Sequence, residues 1–339
     1  MSTFLNSLNY FRGIAIVLIV AGHCYAIAGW DIDSFGERAC ANLITGSTAL
    51  FVFISGFLFH HLFATDFDLR RFLGKKFKDV LLPYLILSTP YIFYVVYSRG
   101  SGYHHGYVDQ DWQAVIFYLA TGRVIFAYWY IPFIILTFLL SPLHLRFIRC
   151  RRQLPIILLF LAVSALLHRP LDDVNTLQSV LYFTPAYLLG IWCSINRARV
   201  YRLFAGREFL LLLGAVALAC LQAALHTSYG NFHKAPFAWG GIDIILFQKI
   251  LLCLFFLVFL KRFEGRTIKP LGFLAKASFP IFFIHPFIID LILTRQASQQ
   301  PWPKFNFPLT VLAVTLGSIL LAVAIRRLVP RYSRRIIGA

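Results

Sequence analysis

Long apolar stretches, each about one membrane thickness, alternate along the whole chain with shorter segments that are basic or aromatic. A spanning helix needs about 20 mostly apolar residues. Ten stretches meet that length: roughly 8–28, 46–64, 79–98, 127–145, 154–169, 176–195, 208–226, 243–260, 273–294 and 307–325. The fifth is short and the sixth carries Pro185. The pattern predicts an all-α, polytopic membrane bundle of about ten transmembrane helices, one domain over 1–339, with a basic tail from about 326. In the longest intervening segment, 99–126, Trp112 to Leu119 is expected as a short helix lying on the membrane surface. No internal repeat or low-complexity tract interrupts the pattern.

Composition agrees. The chain is 59% hydrophobic and 14% charged, with a mean hydropathy of +0.72; soluble domains carry about 25% charged residues. The formal charge of +18 would suit a nucleic-acid partner, but the positions of the charges argue for a bilayer. With Met1 inside, 24 of the 32 Lys and Arg fall in inner segments, among them Arg70, Arg71, Lys75, Lys76 and Lys78, and Arg326 to Arg335. That is the positive-inside bias, and it predicts cytoplasmic N- and C-termini and an even number of spans. No nucleic acid is expected. The six cysteines are scattered without a C-x-x-C pair, so neither a disulfide nor a metal site is expected. The first apolar run lacks a small-residue cleavage site and is expected to stay as a helix.

That first run holds Arg12 near one end and His23 inside. Ionisable groups are costly in a bilayer and mark functional sites there. Eleven residues at 100° each return to the same face, about 16 Å further along the axis. One helix thus aligns a cation near the inner surface with a deeper imidazole, a geometry suited to a long anionic ligand whose far end meets a base. Among other polar groups in the spans, Ser55-Gly56 suggests a close helix contact. His285 precedes Pro286, which frees a backbone carbonyl. Lys249 and Asp290 are expected to pair across helices. Trp129 and Tyr130 sit at the outer mouth as interfacial anchors or acceptor contacts. Tyr103 to Tyr107, Tyr229, His233 and Trp239 colour the outer loops with aromatics.

With these residues in view, the chain resembles the acyltransferase-3 family of integral membrane O-acyltransferases. Arg12-Gly13-Ile14-Ala15-Ile16 and His23 resemble its Arg-x10-His pattern, and Phe51 to Phe57 (FVFISGF) its FFxxSGF element. Tyr128-Trp129-Tyr130 resembles its HLWYL element, Phe183 to Gly190 its Leu-Gly ending, and Leu274 to His285 its LGxxSYxIYLxH element. The resemblance implies a multi-pass enzyme of the bacterial cytoplasmic (inner) membrane. It implies transfer of an acyl group, commonly acetyl from acetyl-CoA, to a hydroxyl of an exported or envelope carbohydrate, with acyl-CoA as co-substrate and no bound cofactor. Arg12 and His23 are then the essential pair. One window departs: where the family has Arg-x-x-Arg, this chain reads Lys76-Phe77-Lys78-Asp79, which leaves Lys75 and Lys78 to supply the missing charge.

Acyl transfer to an alcohol needs a base for its proton and cations for an anionic donor. Histidine has the ordinary pKa nearest neutrality, and desolvation favours its neutral, proton-accepting form. The expected roles are therefore His23 as base, Arg12, Lys75, Lys76 and Lys78 as donor-binding cations, and Ser55, Tyr130 and His285 as cavity or acceptor residues. The alternative is a transporter or flippase for a lipid-linked or polymeric sugar, with His23, Lys249, His285 and Asp290 as a proton route. The absence of paired, repeat-related helix breaks counts against it.

Overall fold

The structure is a computed structural model that describes residues 5–30, 32–98, 108–296 and 306–338. The segment Tyr103 to Tyr107 lies outside these residues. The chain is 77% helical. In order the helices are α1 (Asn6–His23), α2 (Phe35–Ile44), α3 (Thr48–Phe63), α4 (Leu69–Lys76), α5 (Leu82–Ser98), α6 (Asp111–Thr121), α7 (Tyr130–Leu139) and α8 (Ser141–Arg149). There follow α9 (Gln153–Leu167), α10 (Thr176–Ile195), α11 (Arg197–Phe204), α12 (Glu208–Leu225), α13 (Ile244–Lys261), α14 (Lys269–Gln296), α15 (Phe307–Leu328) and α16 (Ser333–Ile337). Among the described residues the only strand pairing is a two-residue parallel one, Arg169–Pro170 beside His233–Lys234.

Each of the ten apolar stretches is helical. Six helices among the described residues are long and apolar enough to cross a membrane, or seven if the bent pair α7–α8 is one span. That pair breaks the fourth stretch by 55° between Leu139 and Ser141. The expected short helix appears as α6, where the Tyr84 hydroxyl donates to the Leu119 carbonyl at 2.8 Å. Pro185 does not end α10. The carbonyl it frees, that of Leu181, accepts from the Ser164 hydroxyl of α9 at 3.0 Å, so a neighbouring helix replaces the lost bond.

The core forms where α1 packs on α14 and α3 on α10. The latter pair meets through glycines. A Cβ at Gly56 would lie 2.0 Å from the Tyr187 carbonyl oxygen, and one at Gly190 2.1 Å from that of Phe53. Only hydrogen fits at either place, and the backbones touch as in small-residue membrane contacts. The expected close contact at Ser55-Gly56 is therefore present.

The start of α1 has no side-chain cap of its own. Glu264, on the loop between α13 and α14, supplies one: its carboxylate accepts from the Asn6 N–H at 2.7 Å and the Ser7 N–H at 3.3 Å. Tyr10 donates to the Arg266 carbonyl at 2.5 Å and accepts from the Ile268 N–H at 2.9 Å. These bonds set the height of α1, and with it that of Arg12.

One sequence expectation fails here, and one helix was missed. Lys249 does not pair with Asp290. It is buried and donates to the Asn42 and Leu43 carbonyls at 3.0 and 2.9 Å, at the C-terminal turn of α2. Helix ends leave carbonyls without partners and carry partial negative charge, so an ammonium is favoured there. Helix α2 itself was not expected. Its signal was Ser34-Phe35-Gly36-Glu37, a capping box in which Ser34 Oγ accepts from the Glu37 N–H at 3.2 Å and Glu37 from the Ser34 N–H at 2.9 Å.

Candidate active site

Arg12 and His23 line one cavity of about 230 Å³, walled by α1, α3, α4, α7 and α14. Its Arg12 end also holds Lys75, Lys76 and Asp79. Arg12 has no hydrogen-bond or carboxylate partner among the described residues, and its Nε is buried. Lys76 lies over the rings of Phe138 at 4.4 Å and Phe72 at 5.3 Å. The carboxylate of Asp79 is taken up by Arg334 from α16, with Nε–Oδ1 and Nη2–Oδ2 both at 3.0 Å. Among the described residues, the cavity wall is thus left with three cations that no protein anion engages at short range. That is the local chemistry of a phosphate-binding surface.

Lys78, expected among these cations, does not line the cavity. Residues Phe77–Leu81 form a π-helical turn continuing α4. Helical spacing puts Lys75, Lys76, Asp79 and Val80 on the cavity side, and it turns Phe77 and Lys78 outward to exposed positions. The missing second arginine of the Lys76 to Asp79 window has a partial counterpart. Asp79 draws in the Arg334 guanidinium, although Arg334 stays outside the cavity wall.

At the other end, His23 makes no hydrogen bond to a protein group among the described residues. Its ring meets Phe126 at 4.8 Å and stacks on His285 at 5.6 Å, with 28° between the planes. Ser55 and Tyr130 line the same cavity. His285, expected as a cavity residue, lines neither this cavity nor the next. It is fully buried behind His23, and its Nδ1–H donates to the Ile281 carbonyl one turn back at 2.9 Å. The carbonyl can only accept, so Nδ1 holds the proton and Nε2 does not need one. Nε2 is buried without a partner.

His23 also walls a second pocket, of about 260 Å³, and shares Ile19, Thr48 and Trp129 between the two. This pocket adds Phe126, Arg169, Asp173, Tyr229, Asn231 and His233. A third space of about 370 Å³, bounded by Arg123, Asp172, Trp129 and His233, adjoins it. Arg169 and Asp173 did not stand out in the sequence. They sit in the turn after α9, and the pairing of Arg169–Pro170 with His233–Lys234 brings the second loop beside them. The only signal was local: His168, Arg169, Asp172 and Asp173 crowd four ionisable groups into six residues.

The site therefore has a cation-lined approach, an unpaired imidazole at its far end, and a separate polar pocket on the other side of that imidazole. This arrangement can hold an anionic donor on one side of a base and a hydroxyl on the other. Comparison with curated proteins and with solved structures gave no match. The model of an acyltransferase domain, of the acyltransferase-3 type, matches residues 5–327, nearly the whole chain. The protein is thus a membrane acyltransferase and belongs to the acyltransferase-3 family.

Proposed function

We propose that this protein is an O-acyltransferase that moves an acyl group, in the first instance acetyl, from cytoplasmic acyl-CoA to a hydroxyl of an exported or cell-envelope carbohydrate. In this reading the chain crosses a bacterial inner membrane ten times, with both termini in the cytoplasm, as the distribution of Lys and Arg indicates. The Arg12 end of the first cavity then faces the cytoplasm and the His23 side pocket faces outward. The observation that carries the reading is that Arg12 and His23 wall one cavity while His23 also walls the next.

The donor's phosphates lie against Arg12, Lys75 and Lys76, and the thioester reaches up the α1 face. His23 takes the proton of the acceptor hydroxyl. The alcohol oxygen bonds to the acyl carbon, the carbon–sulfur bond breaks, and the departing thiolate takes the proton from His23. The Ser55 and Tyr130 hydroxyls, both on the cavity wall, offer donors to the thioester oxygen as negative charge develops there. His285, stacked behind His23, acts as a positioning residue.

The test uses purified protein in liposomes with radiolabelled acetyl-CoA inside and an envelope-derived glycan outside. Label on the glycan with wild type, lost with His23→Ala, is the expected result. Unchanged labelling by His23→Ala overturns the base assignment. No binding of acetyl-CoA, with sugar crossing the vesicle membrane, overturns the transferase reading in favour of transport.

A further inference from the structure

The pocket beyond His23 is built from charges that cancel. Arg169 Nη2 donates to both Asp173 oxygens, at 2.8 and 2.9 Å. Arg123 pairs with Asp172 at 3.5 Å. His233 lies 3.8 Å from Asp173, too far for a hydrogen bond, and its Nδ1–H donates instead to the Pro170 carbonyl at 2.9 Å. Partial burial, and then the Arg169 guanidinium, hold the His233 pKa below its ordinary value, so the ring adds no charge at neutral pH. Among the described residues, the charges lining the two outer spaces therefore sum to zero. The first cavity is the opposite case, with Arg12, Lys75 and Lys76 against an Asp79 already held by Arg334.

The Arg169 group is also held rigidly. Its guanidinium lies over the Trp129 ring at 4.5 Å, and its Nε–H is buried without an acceptor. The turn that presents it puts His168, Asp172 and Asp173 at φ of 60°, 53° and 57°. Left-handed backbone is disfavoured for residues with a Cβ and gathers at functional sites, where the surroundings maintain it.

We propose that this pocket is the acceptor subsite, that it takes an uncharged, hydroxyl-rich sugar unit rather than an anionic one, and that Arg169 orients that unit. The inference rests on the transferase reading above. Paired guanidinium and carboxylate groups offer donors and acceptors side by side, which matches hydroxyls that both donate and accept. A uronate would place its carboxylate beside Asp172 and Asp173 with no spare cation, and like charges brought together without compensation discriminate strongly.

The test compares acetyl transfer from acetyl-CoA to a neutral hexose oligosaccharide and to its uronate counterpart, with reconstituted full-length protein. Wild type is expected to favour the neutral sugar in kcat/KM by about tenfold or more, the scale of one uncompensated charge. Asp173→Asn releases the Arg169 charge and is expected to move the ratio toward the uronate by a similar factor. Asp172→Asn, at a more exposed position, should move it in the same direction and stands in if Asp173→Asn does not fold. Wild type preferring the uronate, or a ratio that neither variant moves, overturns the inference while leaving the transferase reading intact. No transfer to either sugar and no release of CoA thiol removes that reading and the inference with it.

Discussion

At the scale of single residues, the site turns on groups whose usual partners are missing. Among the described residues, Arg12 has no carboxylate partner, since the cavity's Asp79 is held by Arg334, and His23 lines two cavities without a hydrogen bond. Removing a general base typically costs 10²–10⁴ in rate. His23→Ala is therefore expected to lower acyl transfer at least about 100-fold at normal expression, measured as acyl groups on the glycan. Arg12→Gln should raise the KM for acyl-CoA about tenfold while kcat falls less, since a phosphate contact contributes mainly to binding. Equal loss in kcat and kcat/KM would place Arg12 at the transition state instead. Arg12 and His23 could be read from the sequence because both lie on one helix, where spacing alone sets the shared face. Helical spacing turns Lys78 away from the cavity, which a reading of the charge pattern alone does not weigh, and His285 lies behind His23 because its direction depends on how α14 packs behind α1.

At the scale of elements, two contacts set the positions of these residues. The α3–α10 contact at Gly56 and Gly190 allows no Cβ, and the opposing atoms are backbone that cannot swing away. Gly56→Ala or Gly190→Ala is expected to destabilise the protein by about 1–3 kcal/mol through overpacking, read as a lower thermal midpoint in detergent. An unchanged midpoint for both would show that the two helices do not approach so closely. The Glu264 cap on α1 joins a carboxylate to the positive end of a helix. Glu264→Gln should cost about 1 kcal/mol and also raise the KM for acyl-CoA, because the height of Arg12 depends on that cap. Helix α2 and its Lys249 contact show what periodicity does not reveal. The capping box was visible in the sequence, but which ammonium would meet the helix's last carbonyls depended on residues more than 200 positions away.

At the scale of the whole molecule, the orientation proposed from basic residues makes a labelling prediction. Cys40 is exposed on α2, and Cys150 is partly exposed after α8. A membrane-impermeant maleimide should label Cys40 in intact cells and Cys150 only after permeabilisation. The reverse pattern would invert the proposed topology and put the donor cations on the wrong side for cytoplasmic acyl-CoA. By itself the amino-acid sequence determined the helical, membrane-embedded class of the protein, its family, and the shared face of Arg12 and His23. These are properties of hydropathy, motif order and local spacing. Tertiary structure alone decided that Lys249 would hold the end of α2 and that Asp79 would be taken by Arg334. It likewise decided that Arg169 would lie on Trp129, beside His23. Those pairings bring together groups from different helices and loops, and their partners are chosen by desolvation and packing in three dimensions, which no local pattern encodes.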